Sequence, residues 1–346
     1  MENREKYLSF VVPCYNSESY MARCIESLLP GGEDVEIIII DDGSKDKTVE
    51  IADAYQKQYP DLVKVIHKEN GGHGSGVNAG LACARGVYFK VVDSDDWLDG
   101  TAYQKLLEKI RYYCKEVGGG EEKPDLFVCN YVYNHLEQQI TRSMGYGNVF
   151  PAEKICHWSE TGHFLPSQYL VMHALVYRTE ILRQSGIVLP EHTFYVDNLF
   201  AYCPLPYVRN IFYMDIDLYQ YYLGRDDQSV NETVMISRID QQLRVTRRMV
   251  DFYTEQKISN QKCRMYMRNY LRIMMEVSSI FLILSGTPEN LAKKQELWNY
   301  VKAKDKEVYK MLRYSMLGFS VNLPGKSGRW ISKTGYKVMN KWIGFN

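Results

Sequence analysis

The chain lacks the marks of several large protein classes. It has no net charge, with 42 Lys+Arg against 42 Asp+Glu, so the basic footprint of a general nucleic-acid binder is missing. It has no run of roughly 18 apolar residues, so no membrane span is expected. The most apolar stretch, Tyr270 to Leu284, is interrupted by Arg272 and Glu276 and reads as a buried helix. The start, Met1 to Lys6, is polar, and the apolar run after it (Leu8 to Val12) is too short for a signal peptide. The eight cysteines form no CxxC pair and no secreted-scaffold spacing. Cys14, Cys24, Cys83, Cys129 and Cys203 sit in apolar runs and read as small core residues, and the expected compartment is the reducing cytosol. No GK[ST] follows the one Gly-rich loop. Pro13-Cys14-Tyr15-Asn16 stands where a dinucleotide fingerprint would follow the first strand. P-loop hydrolases and NAD enzymes are therefore disfavoured.

What is present is ordinary globular material: 45% hydrophobic and 24% charged residues exclude a disordered chain, and 346 positions suit one large domain plus an appendage, or two domains. The 28 tyrosines offer flat apolar faces with a hydroxyl, suited to stacking on sugars or bases, although a Tyr-rich core is the plainer reading.

The first hundred residues alternate cleanly. Strands are predicted at Leu8–Val12, Val35–Ile40, Val63–Ile66, Val87–Val92 and Leu126–Tyr133, with helices at helical apolar spacing between them. The unbroken isoleucines of Ile37–Ile40 call for a sheet covered on both faces. The expected fold is therefore α/β, a doubly wound, mostly parallel sheet. A Gly-rich loop, Gly71 to Gly76, is expected to precede a short helix near Val77–Ala84 and to let backbone approach a ligand. Shorter strands are expected near Leu175–Tyr177 and Ile211–Met214, and helical texture begins after Asn231. This divides the chain into residues 1–230, with halves at about 1–115 and 116–230, and a helical C-terminal region, 231–346.

In such sheets ligands bind beyond the carboxyl ends of the strands. Tyr15, Asp42, the Gly71–Gly76 loop and Asp93-Ser94-Asp95 all follow successive strands. Asp93 and Asp95, one residue apart after a Val-rich strand, can face a divalent cation and a diphosphate together, since hard cations such as Mg²⁺ and Mn²⁺ take oxygen ligands. An isolated D-x-D is usually a solvated turn, and the context is what raises this one. Asp42 reads as an acceptor for a base or ribose hydroxyl. Ser44 and Asp46 read as caps of the next helix.

Val11-Val12-Pro13-Cys14-Tyr15-Asn16, Asp41-Asp42-Gly43-Ser44, Asn70-Gly71-Gly72, Asn78-Ala79-Gly80 and Asp93-Ser94-Asp95-Asp96, in this order and spacing, resemble the GT-A nucleotide-sugar domain of family 2 glycosyltransferases. The resemblance is specific over about residues 7–115, patchy to about 230 and absent beyond. It implies an inverting, metal-dependent hexosyltransferase acting on a nucleotide-diphosphate-sugar, with UDP the expected nucleotide. It implies that Pro13, Tyr15 and Asp42 frame the donor's base, that Asn78 lies with the donor, and that Asp93 and Asp95 handle ribose, diphosphate and metal. Such proteins usually carry Arg directly before Asn-Ala-Gly, where this chain has Val77; Lys68, His73 and Lys90 are the candidate substitutes.

Phe194-Tyr195-Val196-Asp197-Asn198-Leu199-Phe200 resembles the segment where the family carries a Glu-Asp pair, the Asp being its catalytic base. Here Val196 replaces the Glu and Asp197 keeps the Asp, which reads either as base or as a helix N-cap. Tyr221-Tyr222-Leu223-Gly224-Arg225 with Ser229 resembles the family's closing Tyr/Arg/Ser stretch. Asp96, Trp97, Glu191 and Arg225 are candidate contacts to an acceptor, although packing under the metal loop is the plainer reading of Trp97. His173 and His192 read as ordinary core or surface histidines.

Residues 326–346 hold Lys326, Arg329, Lys333, Lys337 and Lys341 with no acid, and Ile331, Val338, Trp342 and Phe345 fall on one helical face near Trp330. This reads as a basic amphipathic helix for an anionic membrane or as a terminal helix packed on its own domain. The expected partners are a nucleotide-sugar and a glycan or lipid-linked acceptor in cell-surface polysaccharide synthesis, with no nucleic acid. The expected setting is the cytoplasm or the inner face of the membrane, as a monomer or homodimer. The rivals are a nucleotidyltransferase, which would want a Gly-rich, Arg/Lys-bearing loop after the first strand, and a non-catalytic nucleotide-sugar-binding module. A processive synthase would need membrane spans and a Gln-x-x-Arg-Trp motif, and the chain has neither.

Overall fold

The computed structural model describes residues 6–116, 122–135, 138–224 and 232–343. Two compact units divide between Leu223 and Gly224; the sequence reading set its boundary near 230.

The first unit is built on one sheet. Its strands are β1 (Leu8–Cys14), β2 (Val35–Asp41), β3 (Val63–His67), β4 (Tyr88–Val91), β5 (Trp97–Leu98), β6 (Leu126–His135), β7 (Ile140–Met144), β8 (Ile155–Cys156), β9 (Leu175–Arg178) and β10 (Ile211–Leu223). Their order is β3-β2-β1-β4-β9-β6-β10-β5, with β7 on β6 and β8 on β10. β3, β2, β1 and β4 run parallel. β9 lies antiparallel between β4 and β6, and β10 is parallel to β6. Six strands thus end at one edge. Every residue of β1 and β2 is buried. At roughly 1.5–3 kcal/mol per buried Val, Ile or Phe, these two strands anchor the fold.

The helices of this unit are α1 (Met21–Leu28), α2 (Thr48–Gln58), α3 (His73–Cys83), α4 (Gly100–Arg111), α5 (Thr179–Gln184) and α6 (Asp197–Tyr202). α3 departs from expectation. It begins at His73, so Gly74, Gly76 and Gly80 are helical and serve packing, not ligand approach. A Cβ at Gly80 would come within 2.4 Å of the Val11 side chain, and one at Gly76 within 3.2 Å of Pro13. Pro13 itself stands in a central strand because β4 stops opposite Val11, so no ladder bond is lost there.

β10 is also longer than the sequence suggested. Asp215 and Asp217 occupy a register irregularity that breaks the hydrophobic run after Met214, and the strand resumes through Leu218 and Tyr219.

The second unit is helical: α7 (Glu232–Ser237), α8 (Ile239–Glu255), α9 (Gln261–Ser285), α10 (Pro288–Lys304), α11 (Lys306–Arg313), α12 (Met316–Ser320) and α13 (Gly325–Ile343). Its starts are written in side chains. Asn260, Thr287, Asp305 and Ser315 each accept backbone N–H bonds as N-caps. Gly286, at φ 70°, ends α9. Among the described residues no helix is long and apolar enough to cross a membrane.

Candidate active site

The carboxyl edge of the sheet gathers the predicted residues. After β2, the buried Asp42 carboxylate accepts bonds from Lys68 Nζ (2.6 Å), Gly71 N (2.9 Å) and Gly72 N (2.7 Å). It therefore folds the loop after β3, and Lys68 is spent there. Asp41 accepts from Ser44 N (3.0 Å) and pairs with His67 (3.1 Å). After β1, Tyr15 is half exposed, and Asn16, in the left-handed region at φ 50°, joins this loop to the next: its side chain accepts from Lys45 N at 2.9 Å.

Asn78 was expected at the donor. Its amide instead clamps the Leu189 backbone in both directions, donating to Leu189 O (2.8 Å) and accepting from Leu189 N (3.0 Å). Beside it His192 N donates to Gly71 O at 2.6 Å. The segment leading to α6 is thereby fixed on α3 and on the loop before it. The missing arginine has a physical reason: Val77 is buried, where a guanidinium would be stranded. Val196 is buried too and lies close above Gly74, so the family's acid would meet apolar core here. Glu191 is exposed.

Tyr195, immediately before, holds φ at 66°, an uncommon conformation for a bulky residue and one concentrated at functional sites. It delivers Asp197 as the first residue of α6. Val196 occupies the N-cap position, so the capping reading of Asp197 does not hold. Burial, helped by Asp93 and opposed by His73, raises the Asp197 carboxyl to about 6. That value suits a general base near neutral pH.

Asp93 follows β4. His73 Nε2 lies 2.8 Å from its carboxylate. Burial acts to raise Asp93, but His73, by its charge and its hydrogen bond, leads the effects that outweigh it and hold the group below the usual carboxylate range. His173, expected as an ordinary core or surface histidine, has its Nδ1 4.0 Å from the Asp93 carboxylate. Its ring is sandwiched between Tyr219 and Tyr221, each 4.7 Å away. Burial holds it near 4, so it is neutral, and its buried Nδ1 has no hydrogen-bond partner. Lys90, wholly buried, donates to His173 O at 2.7 Å and is pulled down to about 8 by desolvation.

Asp96 was expected at the acceptor, yet it is wholly buried. It accepts from Tyr219 Oη (2.6 Å) and Tyr222 N (2.8 Å). Burial, then Asp95 and Asp93, push it well above the carboxylate range. Among the described residues, Asp93, Asp96 and His173 form the one group whose ligating atoms lie within 4.8 Å of one another. Two carboxylates and an unpartnered neutral imidazole suit a divalent cation, which would also relieve the repulsion among the acids. Asp95, expected as a ligand, is outside this group, and its carbonyl accepts from Arg23 at 2.9 Å. The Arg23 guanidinium lies 3.8 Å from the Trp97 ring centroid, so one face of Trp97 is covered. Arg225 and Ser229 lie outside the described residues.

Residues 9–123 match the model for glycosyl transferase family 2. The chain is 29% identical over 220 residues to the putative glycosyltransferase EpsH of Bacillus subtilis, covering 62% of this chain and 60% of that one. It is 34% identical over 112 residues to the minor teichoic acid biosynthesis protein GgaA of the same organism, covering 31% and 24%. The chain thus spans less than two thirds of either relative. Among solved structures, Staphylococcus aureus TarS 1–349, crystallised with UDP-GlcNAc, superposes at a TM-score of 0.68 over 96% of this chain and 92% of that one. At 18% identity this likeness shows the fold, which is GT-A. Over residues 9–123 the chain is thus similar to glycosyl transferase family 2.

Proposed function

We propose that this protein is an inverting glycosyltransferase that moves one sugar from a UDP-sugar to a hydroxyl of a glycan or lipid-linked acceptor in cell-surface polymer synthesis. The observation that carries the reading is Asp197: a partly buried carboxyl at the start of α6, raised to about 6 and within electrostatic reach of the His73–Asp93 pair. As base, Asp197 takes the acceptor hydroxyl's proton while that oxygen attacks the anomeric carbon. Attack opposite the leaving group inverts the configuration, as in single-step glycosidases. Asp93, Asp96 and His173 Nδ1 are the groups that would hold Mn²⁺ or Mg²⁺. The chemistry such an ion supplies is charge neutralisation on the diphosphate. His73 keeps Asp93 ionised, Tyr219 and Tyr222 orient Asp96, and Lys90 fixes the His173 backbone. Pro13 and Tyr15 border the place of the base, and Asp42 shapes that border by holding the loop after β3. UDP-GlcNAc in TarS supports a UDP-sugar donor, and the teichoic acid role in GgaA's name supports a surface-polymer acceptor. The basic stretch 326–346 supports peripheral attachment to the inner face of the membrane.

Hydrolysis and binding across UDP-, GDP- and CMP-sugars, with and without Mn²⁺, test this. Metal-dependent turnover of one UDP-sugar is expected. Pyrophosphate release from a nucleoside triphosphate would point to a nucleotidyltransferase, and binding without turnover to a binding module.

A further inference from the structure

From Val308 to Asn346 the chain has seven basic residues and no acid. α11 buries Val308 and Leu312 in the ordinary way, but the described part of α13 is turned inside out. α13 packs inward through its small and polar positions. Gly328 is buried against Leu323, Ser332 Oγ donates to Ser320 O at 2.8 Å, and Tyr336 meets Phe281 at 6.0 Å between centroids. Among its described residues, the large apolar side chains of Trp330, Ile331 and Val338 are exposed. The turn from α11 into α12 repeats the pattern: Tyr314 is 71% exposed, Met316 81% and Phe319 55%. The Ser332–Ser320 bond ties the two elements together. Exposed lysines, Lys326 and Lys337, stand on α13 beside them. Only Lys310 has its charge offset by a described acid in this region, Glu307 at 2.8 Å.

A contiguous run of exposed aromatic and aliphatic side chains on a soluble surface marks an interaction site. Its border of one charge sign says what covers it. We infer that the α11–α12 turn and the outer face of α13 form a docking surface for an anionic lipid bilayer, with Tyr314, Met316, Phe319 and Trp330 entering the interface and the lysines meeting phosphate headgroups. This deepens the membrane-attached reading of the enzyme and rests on it. It also extends the surface beyond the terminal helix, to a second element that gives the attachment a fixed orientation.

The test is cosedimentation of the full chain with vesicles of phosphatidylcholine alone and of phosphatidylcholine mixed with phosphatidylglycerol, at low and high salt. Mn²⁺-dependent donor hydrolysis is measured on the same samples. Binding to the anionic vesicles, weakened by salt, is expected. Each cation near the surface is worth about fivefold, so K326E/K337E should weaken binding by more than about tenfold. Phe319→Ser and Trp330→Ser should each weaken it while leaving hydrolysis and helicity unchanged. Absence of binding to anionic vesicles at low salt, or binding indifferent to all three variants, overturns the inference. So does a dimer that Phe319→Ser or Trp330→Ser dissociates in a protein that ignores vesicles, since a second copy would then cover the surface. Hydrolysis without vesicle binding refutes this inference alone. Vesicle binding without hydrolysis refutes the enzymatic reading and leaves this one standing.

Discussion

The proposed chemistry rests on single residues, and the sequence exposed only some of them. Asp42, Asp93 and Asp197 were legible as candidates because each follows a strand or motif of recognisable type. His173 was not. It lies far in sequence from Asp93, and an isolated histidine has no periodicity to betray it. The available signal was Tyr219 and Tyr221, two apart on one strand and so on one face, which form the walls of its slot. The candidate metal ligands differ in the same way. D-x-D spacing points to Asp93 and Asp95, whereas the fold brings Asp96 and His173 together with Asp93. Mn²⁺ affinity, read by calorimetry, separates the two. Asp96→Asn and His173→Ala should each weaken it by about 10- to 100-fold, in the range of losses typical of metal-site changes, whereas Asp95→Ala should leave most of it. Loss confined to Asp95→Ala would return the site to the sequence reading.

At the scale of elements, β1 and β2 were readable from the apolar runs Phe10–Val12 and Ile37–Ile40, since a strand covered on both faces has no polar alternation. Two elements were misread for opposite reasons. α3 looked like a ligand loop because its glycines suggest freedom, whereas they are there to let the helix approach Val11 and Pro13. β10 looked short because two aspartates interrupt it at an irregularity. α3 also supports the segment that leads to Asp197, through Asn78. Asn78→Ala removes two bonds to the Leu189 backbone. At about 1 kcal/mol each it should cost about 2 kcal/mol in denaturant unfolding, and turnover should fall more than donor affinity does. Unchanged turnover in a destabilised variant would make the clamp purely structural.

At the scale of the whole molecule, the fold brings six parallel strand ends to one edge, and every chemical feature of the site hangs from that edge. The doubly wound half was legible because neighbouring strands in space are near neighbours in sequence. The remainder of the sheet was not, since β9 inserts between β4 and β6 from far along the chain and no local pattern encodes such a crossing. The division at Leu223 falls where β10 ends, a point hidden by the early break in that strand.

The decisive measurement is the pH–rate profile of Mn²⁺-dependent UDP-sugar hydrolysis for the wild type and Asp197→Asn. A base raised to about 6 is protonated below that pH, so wild-type turnover should fall about tenfold per unit under it. Asp197→Asn should bind donor as before, turn over about 10²- to 10⁴-fold more slowly, and lose that limb. A variant that keeps both the wild-type rate and the limb would remove Asp197 from the reaction and the proposed mechanism with it.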